Sequence, residues 1–143
     1  MRFFGSAKTK LDEKNRLRIP SKYAGVLSQD PLVMRGTQKC LFIMTAEDME
    51  KTFENIFNAP ISDFAAQNTL RLLNSGTEEI EADSQMRFVL KPEFKRFAGI
   101  DKNVVLLGTG NRIEIWSEEA YEKQFAVYDN EVDEAILSQR DKF

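Results

Sequence analysis

Two short segments of the sequence share an aspartate followed four residues later by an arginine. Asp12 precedes Arg16, and Asp83 precedes Arg87. An aspartate at such a position is suited to accept hydrogen bonds from turn amides or to hold the arginine. Arginine is the side chain best shaped for bidentate hydrogen bonding to guanine edges, and it binds phosphate equally well. Both segments are therefore candidate sites for contact with nucleic acid.

The first of these turns carries further polar side chains. Lys14 and Arg18 add positive charge beside Arg16, and Asn15 tolerates the left-handed conformation that a tight turn needs. A two-stranded β-ribbon with such a tip is narrow enough to enter the major groove of B-DNA. Three nearby lysines would add non-specific attraction to a phosphate backbone: Lys8, Lys10 and Lys22. A plain surface ion pair between the aspartate and the arginine is the simpler interpretation, and the residues alone leave both open.

The residue types present limit other chemistries. The 143 residues include one cysteine, Cys40, and no histidine, which argues against an internal disulfide, a zinc site or a histidine-based triad. Cys40 lies in an apolar, strand-like run, which favours a buried structural thiol over a nucleophile. Neither turn pairs a nucleophile with an activating base, and no phosphate-cradling glycine loop is present. The sequence therefore predicts no enzyme, no metal, no cofactor and no small-molecule substrate.

Apolar runs in the chain are short. The longest, such as residues 104–107, cannot span a bilayer, and residues 1–5 lack the features of a signal peptide. We therefore expect a cytoplasmic protein that does not bind membranes.

The two turns belong to two copies of one longer unit. Leu17 recurs as Phe88 at the same separation of 71 residues that relates the two aspartates. After a one-residue insertion the match resumes at a separation of 72, with residues 32–37 on residues 104–109. A run of matches with one insertion indicates a duplication.

Each copy predicts the same order of elements. Periodicity, proline and cap residues define them. In order, they are a strand at 5–11 or 77–82, the Asp-x-x-x-Arg turn, a second strand, a short helix from 20–21 or 91–92, two strands flanking a turn at 36–39 or 108–111, a helix capped by Thr45 or Ser117, and a helix at 62–73 or 130–139. The capped helices present apolar stripes, namely Met49, Phe53, Ile56 and Phe57, and Tyr121, Phe125 and Tyr128.

Charge follows the repeat. The chain has a net charge of −3, but residues 1–39 carry nine Lys/Arg and three Asp/Glu, and residues 87–112 carry six and two. The other two segments are acidic. Residues 40–86 carry two Lys/Arg and nine Asp/Glu, and residues 113–143 carry three Lys/Arg and nine Asp/Glu. A fold that separates these halves presents a positive face despite its negative total.

The segment around the first turn resembles the signature of the MraZ family, which belongs with the AbrB-type swapped-hairpin DNA-binding proteins. It reads Leu11-Asp12-Glu13-Lys14-Asn15-Arg16-Leu17-Arg18-Ile19-Pro20. The duplicated Asp-x-x-x-Arg, its spacing, the chain length and the start Met1-Arg2-Phe3-Phe4-Gly5 fit the same family, so the resemblance covers the whole chain.

The resemblance implies a bacterial transcriptional regulator of the division and cell-wall gene cluster. Members of the family bind short direct repeats in the promoter, form closed rings of subunits and associate with the nucleoid. By motif match, Arg16 and Arg87 are the expected DNA-contacting arginines, with Lys14 and Gln85 on the same loops. The implied partners are double-stranded DNA and further copies of the chain.

The chain departs from the family pattern immediately before each arginine, where the family usually has glycine. Asn15 is a mild change, but Met86 is larger and disfavours positive φ, so we expect a different turn in the second hairpin. The second loop also has no lysine. DNA contact is therefore expected more firmly at Arg16 than at Arg87.

The predicted fold is α+β and rich in β-structure. Two tandem repeats, residues 1–71 and 72–143, are expected to form a pseudo-twofold swapped-hairpin β-barrel-like core with peripheral helices. One copy alone would leave strand edges unpaired and bury too little apolar surface. The competing interpretation is an antitoxin-like or scaffold ring that binds protein, without DNA specificity, through the hairpins or the acidic helical halves.

Overall fold

Strands and helices alternate along the chain in two similar series. The computed structural model describes residues 2–125 and 130–143. The strands are β1 (Ser6–Lys10), β2 (Arg16–Arg18), β3 (Pro31–Arg35), β4 (Leu41–Thr45), β5 (Glu78–Glu79), β6 (Arg87–Val89), β7 (Asn103–Gly108) and β8 (Ile113–Ser117). The α-helices are α1 (Ala46–Thr52), α2 (Glu54–Phe57), α3 (Phe64–Ser75), α4 (Pro92–Ala98), α5 (Glu118–Phe125) and α6 (Val132–Ser138), with 3-10 helices at Ser21–Ser28 and Arg140–Lys142.

The two repeats exchange strands. A six-stranded antiparallel sheet has the order β1-β7-β8-β4-β3-β5, and β2 pairs with β6 in a separate two-stranded ribbon. Swapping each strand for its counterpart in the other repeat leaves this order unchanged. The outer strand β1 of the first repeat pairs with β7 of the second, and β5 of the second pairs with β3 of the first. Neither repeat completes a sheet from its own strands.

The expected mixture of helices and strands, and the two repeats, are present. The expected barrel is not closed within the described residues, because β1 and β5 form opposite edges of an open sheet and do not pair with each other. None of the helices in the described part of the chain has the length and apolar content of a membrane span.

Two apolar clusters lie on opposite faces of the six-stranded sheet. One contains residues of both repeats and includes the inward face of the ribbon, where Leu17 is fully buried and Phe88 nearly so. The other packs the sheet against the helices around Trp116, with Phe53 and Tyr121 partly buried at its rim. The predicted stripes supply Met49, Phe53, Phe57, Tyr121 and Phe125 to this second cluster. Ile56 is not part of it, and Tyr128 lies outside the described residues.

Local hydrogen bonds define where the helices begin. The side chain of Thr45 accepts a hydrogen bond from the Asp48 backbone N–H at 3.0 Å, and Ser117 accepts one from the Ala120 N–H at 3.0 Å. Both predicted caps are confirmed, since each satisfies an amide in the first helical turn that has no partner within its helix.

The first strand of the second repeat is much shorter than predicted. Strand β5 comprises only two of the residues 77–82. Helix α3 runs on to Ser75, and the hydroxyl of Thr77 donates to the Leu73 carbonyl oxygen at 2.7 Å. Thr77 therefore closes helix α3, and only Glu78 and Glu79 pair with β3. In the first repeat the helix expected near residue 20 is a 3-10 helix, whereas its counterpart α4 begins with Pro92, as predicted.

The single cysteine provides a test of the core. Cys40 is 1% exposed, and burial raises the pKa of its thiol to about 12. Because only the thiolate is nucleophilic, we expect iodoacetamide at pH ~8 to leave the folded protein unmodified and to alkylate it after denaturation. Mass spectrometry measures the difference. A Ser62→Cys variant, which adds an exposed thiol, is the matched control and should react at one site when folded; alkylation of native Cys40 at a similar rate would contradict this burial.

Candidate nucleic-acid interface

The first Asp-x-x-x-Arg loop is built around one carboxylate. Oδ1 of Asp12 accepts hydrogen bonds from the backbone N–H groups of Lys14 and Arg16, each at 2.9 Å. Its Oδ2 accepts a third from Nε of Arg16 at 2.7 Å. Asn15 completes the turn in the left-handed region, with φ of 58°. One aspartate thus fixes the loop backbone and anchors the arginine through its Nε atom.

The second loop has the same geometry. Asp83 accepts from the backbone N–H groups of Gln85 and Arg87 at 2.8 and 3.0 Å, and from Arg87 Nε at 2.8 Å. Met86 occupies the left-handed position with φ of 62°. The expectation of a different turn in this hairpin is therefore wrong.

Tertiary contacts explain why methionine is tolerated there. The Met86 side chain is half-buried against the first apolar cluster, and its carbonyl oxygen accepts a hydrogen bond from the Ile19 N–H at 2.8 Å. In the other loop the carbonyl of Asn15 accepts from Leu90 N–H at 2.8 Å. Apolar burial and this reciprocal bonding offset a backbone conformation that is costly by itself. The two loops are consequently tied to each other as one unit.

The ribbon between the loops has one buried and one outward face. Leu17 lies opposite Phe88 and faces the core, so the alternating residues face outward: Arg16, Arg18, Arg87 and Val89. Arg16 lies opposite Val89, and Arg18 lies opposite Arg87. Three strand positions span only about 7 Å, so one small surface carries three arginines. We call the outward side of β2, β6 and their two loops the ribbon face.

Further cations join the ribbon face from elsewhere in the chain. Lys10 and Lys102 line a cleft of about 500 Å³ together with Asp12, Glu13, Lys14, Arg16 and Arg87. Lys95, on α4, donates to the side-chain oxygen of Asn15 at 2.8 Å. The sequence argument missed Lys95 and Lys102 as site residues. Their only signal there was the excess positive charge of residues 87–112.

Other side chains expected near the turns have different contacts. Lys8 pairs with Glu122 at 3.1 Å, and Lys22 donates to the Ser6 carbonyl at 2.7 Å. Gln85 stays on the ribbon face, where its side-chain oxygen accepts from Nη2 of Arg18 at 2.9 Å. The structure thus brings Lys14, Asn15, Arg16, Arg18, Gln85 and Arg87 together and places Lys8 and Lys22 in local contacts.

Hydrogen bonding to the loop aspartates makes the loops sensitive to acid. The backbone N–H of Arg16 holds the pKa of Asp12 below its ordinary 3.8, and the N–H of Arg87 does the same for Asp83. A carboxyl whose pKa is lower in the folded state stabilises the protein above its unfolded pKa, and this contribution disappears as the pH falls through the folded value.

We therefore expect the Tm to fall as the pH drops below about 4. An Asp12→Asn, Asp83→Asn double variant is the control, because its amides do not titrate. Its Tm should depend less on pH in this range than that of the wild type. Equal acid dependence in thermal melts of the two proteins would contradict the role of these carboxylates.

The matched loops bear on the identity of the chain. A family model described as "MraZ protein, putative antitoxin-like" matches twice, at residues 3–72 and 73–141, once for each loop. The chain belongs to the MraZ family. Its relatives include a protein of Micrococcus luteus, 31% identical over 138 residues and covering 94% of this chain and 96% of the relative. Another, from Leifsonia xyli subsp. xyli, is 33% identical with the same coverage.

A third relative, from Saccharopolyspora erythraea, is 32% identical over 120 residues, 84% of each chain. All three are named transcriptional regulator MraZ. The two matches to the family model span both repeats, and each includes one loop of the ribbon face. These names support a regulatory role for the chain.

Proposed function

We propose that this protein is a sequence-specific, double-stranded-DNA-binding regulator of transcription, and that the ribbon face is its DNA-contacting surface. The observation that carries this proposal is the anchoring of Arg16 and Arg87 by their Nε atoms in two matched loops. Among the described residues no hydrogen bond occupies the terminal Nη atoms of Arg16, which leaves the end of its guanidinium for a guanine edge or a phosphate.

The shape and charge of the surface support the same proposal. A two-stranded ribbon fits the B-DNA major groove, which is about 12 Å wide. Lys10, Lys14, Lys95 and Lys102 surround the arginines and suit contacts with the phosphate backbone. Side chains that are already held by the protein lose little conformational freedom on binding, which favours specific contacts.

The finer parts of the proposal follow the family. The target is the promoter of the bacterial division and cell-wall gene cluster, bound at short direct repeats, and the protein is cytoplasmic and associated with the nucleoid. The two repeats, residues 1–71 and 72–143, act as one swapped-hairpin unit. This chain is not an enzyme. Strand exchange between the repeats supports the single unit.

Fluorescence anisotropy with labelled duplex DNA tests the proposed function. A duplex selected in vitro from a random pool should bind more tightly than the unselected pool. Because binding through lysine and arginine releases counterions, log K should fall steeply and linearly as log salt rises. An antitoxin-like protein-binding ring, the second candidate, predicts neither selection nor a steep salt dependence. The exposed apolar side chains of α3 and α6 favour protein contacts on the helical halves.

A closed homo-oligomeric ring is the proposed assembly. Phe64 and Leu72 on α3 and Ile136 and Leu137 on α6 are each more than half exposed, which supports contacts between copies. Linked ribbon faces would raise the effective concentration of each at a repeated site. We expect multi-angle light scattering at micromolar concentration and physiological salt to give one mass, equal to several times the 16.5 kDa of a single chain. A strict monomer would contradict the ring.

A further inference from the structure

The two ends of the ribbon face have the same backbone geometry but different chemistry. At one end Arg16 lies directly opposite Val89, and at the other Arg18 lies directly opposite Arg87. Val89 and Arg18 are counterparts in the two repeats, 71 residues apart. The pseudo-symmetric ribbon therefore carries an apolar side chain at one end and a third arginine at the other.

Val89 is unusual among the outward residues of the ribbon. Its side chain is 57% exposed, although the adjacent Phe88 and the residue opposite Phe88, Leu17, are buried in the core. Residues directly opposite each other in an antiparallel pair have Cβ atoms about 5 Å apart. Val89 thus stands beside Arg16, whose guanidinium is held by Asp12. An exposed apolar group therefore lies next to an anchored hydrogen-bond donor on a surface rich in cations.

The base edges of B-DNA offer one apolar group in the major groove, the C5-methyl of thymine. Successive bases along a strand are about 3.4 Å apart, so a side chain about 5 Å from Arg16 reaches a base one or two steps away. We propose that Val89 contacts a thymine C5-methyl group beside the base edge contacted by Arg16. This inference rests on the proposed DNA binding and names a second specificity determinant within it.

The opposite end of the ribbon has no comparable apolar group among the described residues. There Arg18 donates to the side-chain oxygen of Gln85 at 2.9 Å, and the pair lies beside Arg87. These side chains present hydrogen-bonding groups to a base edge. The two ends of the ribbon face would therefore contact different base edges, which gives one protomer a fixed orientation on its DNA site.

Replacement of thymine by deoxyuridine removes only the methyl group and tests the contact directly. The probes are a duplex selected in vitro with the wild-type protein and the same duplex synthesised with deoxyuridine at one thymine at a time. We expect the wild-type affinity to fall about fourfold at one position, as for one buried methyl group. For Val89→Ala the ratio of the two affinities at that position should approach one. Any change in duplex stiffness is common to both proteins and cancels in this comparison.

Two further variants complete the experiment. Val89→Thr keeps the β-branched shape and one methyl group, so it should fold even if Val89→Ala does not, and should show a reduced preference for thymine. Ile61→Ala removes another exposed apolar side chain, outside the surfaces assigned to DNA and to the ring, and should keep the wild-type preference. Two outcomes would overturn this inference alone, provided that the selected duplex binds with a steep salt dependence. One is equal wild-type affinity for the thymine and deoxyuridine duplexes, and the other is an undiminished preference for thymine in the Val89 variants. Failure of the wild type to select any duplex would overturn the proposed function and this inference with it.

Discussion

An Arg16→Ala variant should lose sequence-specific DNA binding while keeping its fold. If Arg16 contacts a guanine edge, its removal costs about 1–3 kcal/mol for each engaged loop, roughly a 5- to 150-fold loss of affinity. Several ribbon faces acting together on repeated sites should make the total loss larger. The fold should survive because Oδ1 of Asp12 still accepts hydrogen bonds from the backbone amides of residues 14 and 16. Anisotropy with a selected duplex gives the affinity, and a thermal melt gives the stability.

Two other arginines serve as comparisons. Arg71→Ala removes an exposed arginine of α3 that bonds only its neighbour Asn68 among the described residues, and it should bind DNA like the wild type. Arg87→Ala should lose less affinity than Arg16→Ala, because its loop carries Gln85 where the first loop carries Lys14. A sharp drop in Tm for Arg16→Ala with undiminished DNA binding would show that the Asp12–Arg16 pair is structural and that DNA binds elsewhere.

The fragment of residues 1–71, expressed alone, should not fold as a monomer. Strands β1, β2 and β4 each pair with a strand of the second repeat, and the first apolar cluster contains residues of both repeats. The fragment keeps only the β3–β4 pairing. A single hairpin with helices and half a core buries too little surface to offset the loss of conformational entropy.

NMR and thermal melts measure this outcome. The monomeric fragment should give poorly dispersed amide peaks and no cooperative transition, whereas the full chain should unfold in one. Mixing the fragment with residues 72–143 should restore the transition, because each piece supplies the strands that the other lacks. A stable monomeric fragment with dispersed peaks would contradict the interdependence of the two repeats.

The parts of the site that depend on local hydrogen bonds could be predicted from the sequence. Asp12 bonds residues two and four positions further on, so the role of the motif is encoded within five residues. The contributions of Lys95 and Lys102 could not be predicted in the same way. They reach the first loop only because the repeats exchange strands, and no local pattern specifies that pairing.

Local propensity gave wrong predictions at positions where tertiary contacts determine the backbone conformation. Methionine disfavours positive φ, yet Met86 adopts it because burial of its side chain and a hydrogen bond to its carbonyl outweigh the local cost. Strand β5 was overestimated for a related reason. Its residues have strand-like alternation, but Thr77 bonds back to α3, and pairing stops after Glu79 because β3 begins at Pro31.

Site-directed crosslinking tests most directly whether the ribbon face contacts DNA. Ser84 is exposed in the second loop, and a Ser84→Cys variant can carry a short photocrosslinker while the buried native thiol stays unmodified. The matched control is Ser62→Cys, an exposed position before α3 in the helical tail. We predict that a selected duplex crosslinks strongly to position 84 and weakly to position 62. Crosslinking from position 84 should be lost when the same protein also carries the Arg16→Ala substitution. Efficient crosslinking from position 62 with none from position 84 would contradict the assignment of the ribbon face as the DNA-binding surface.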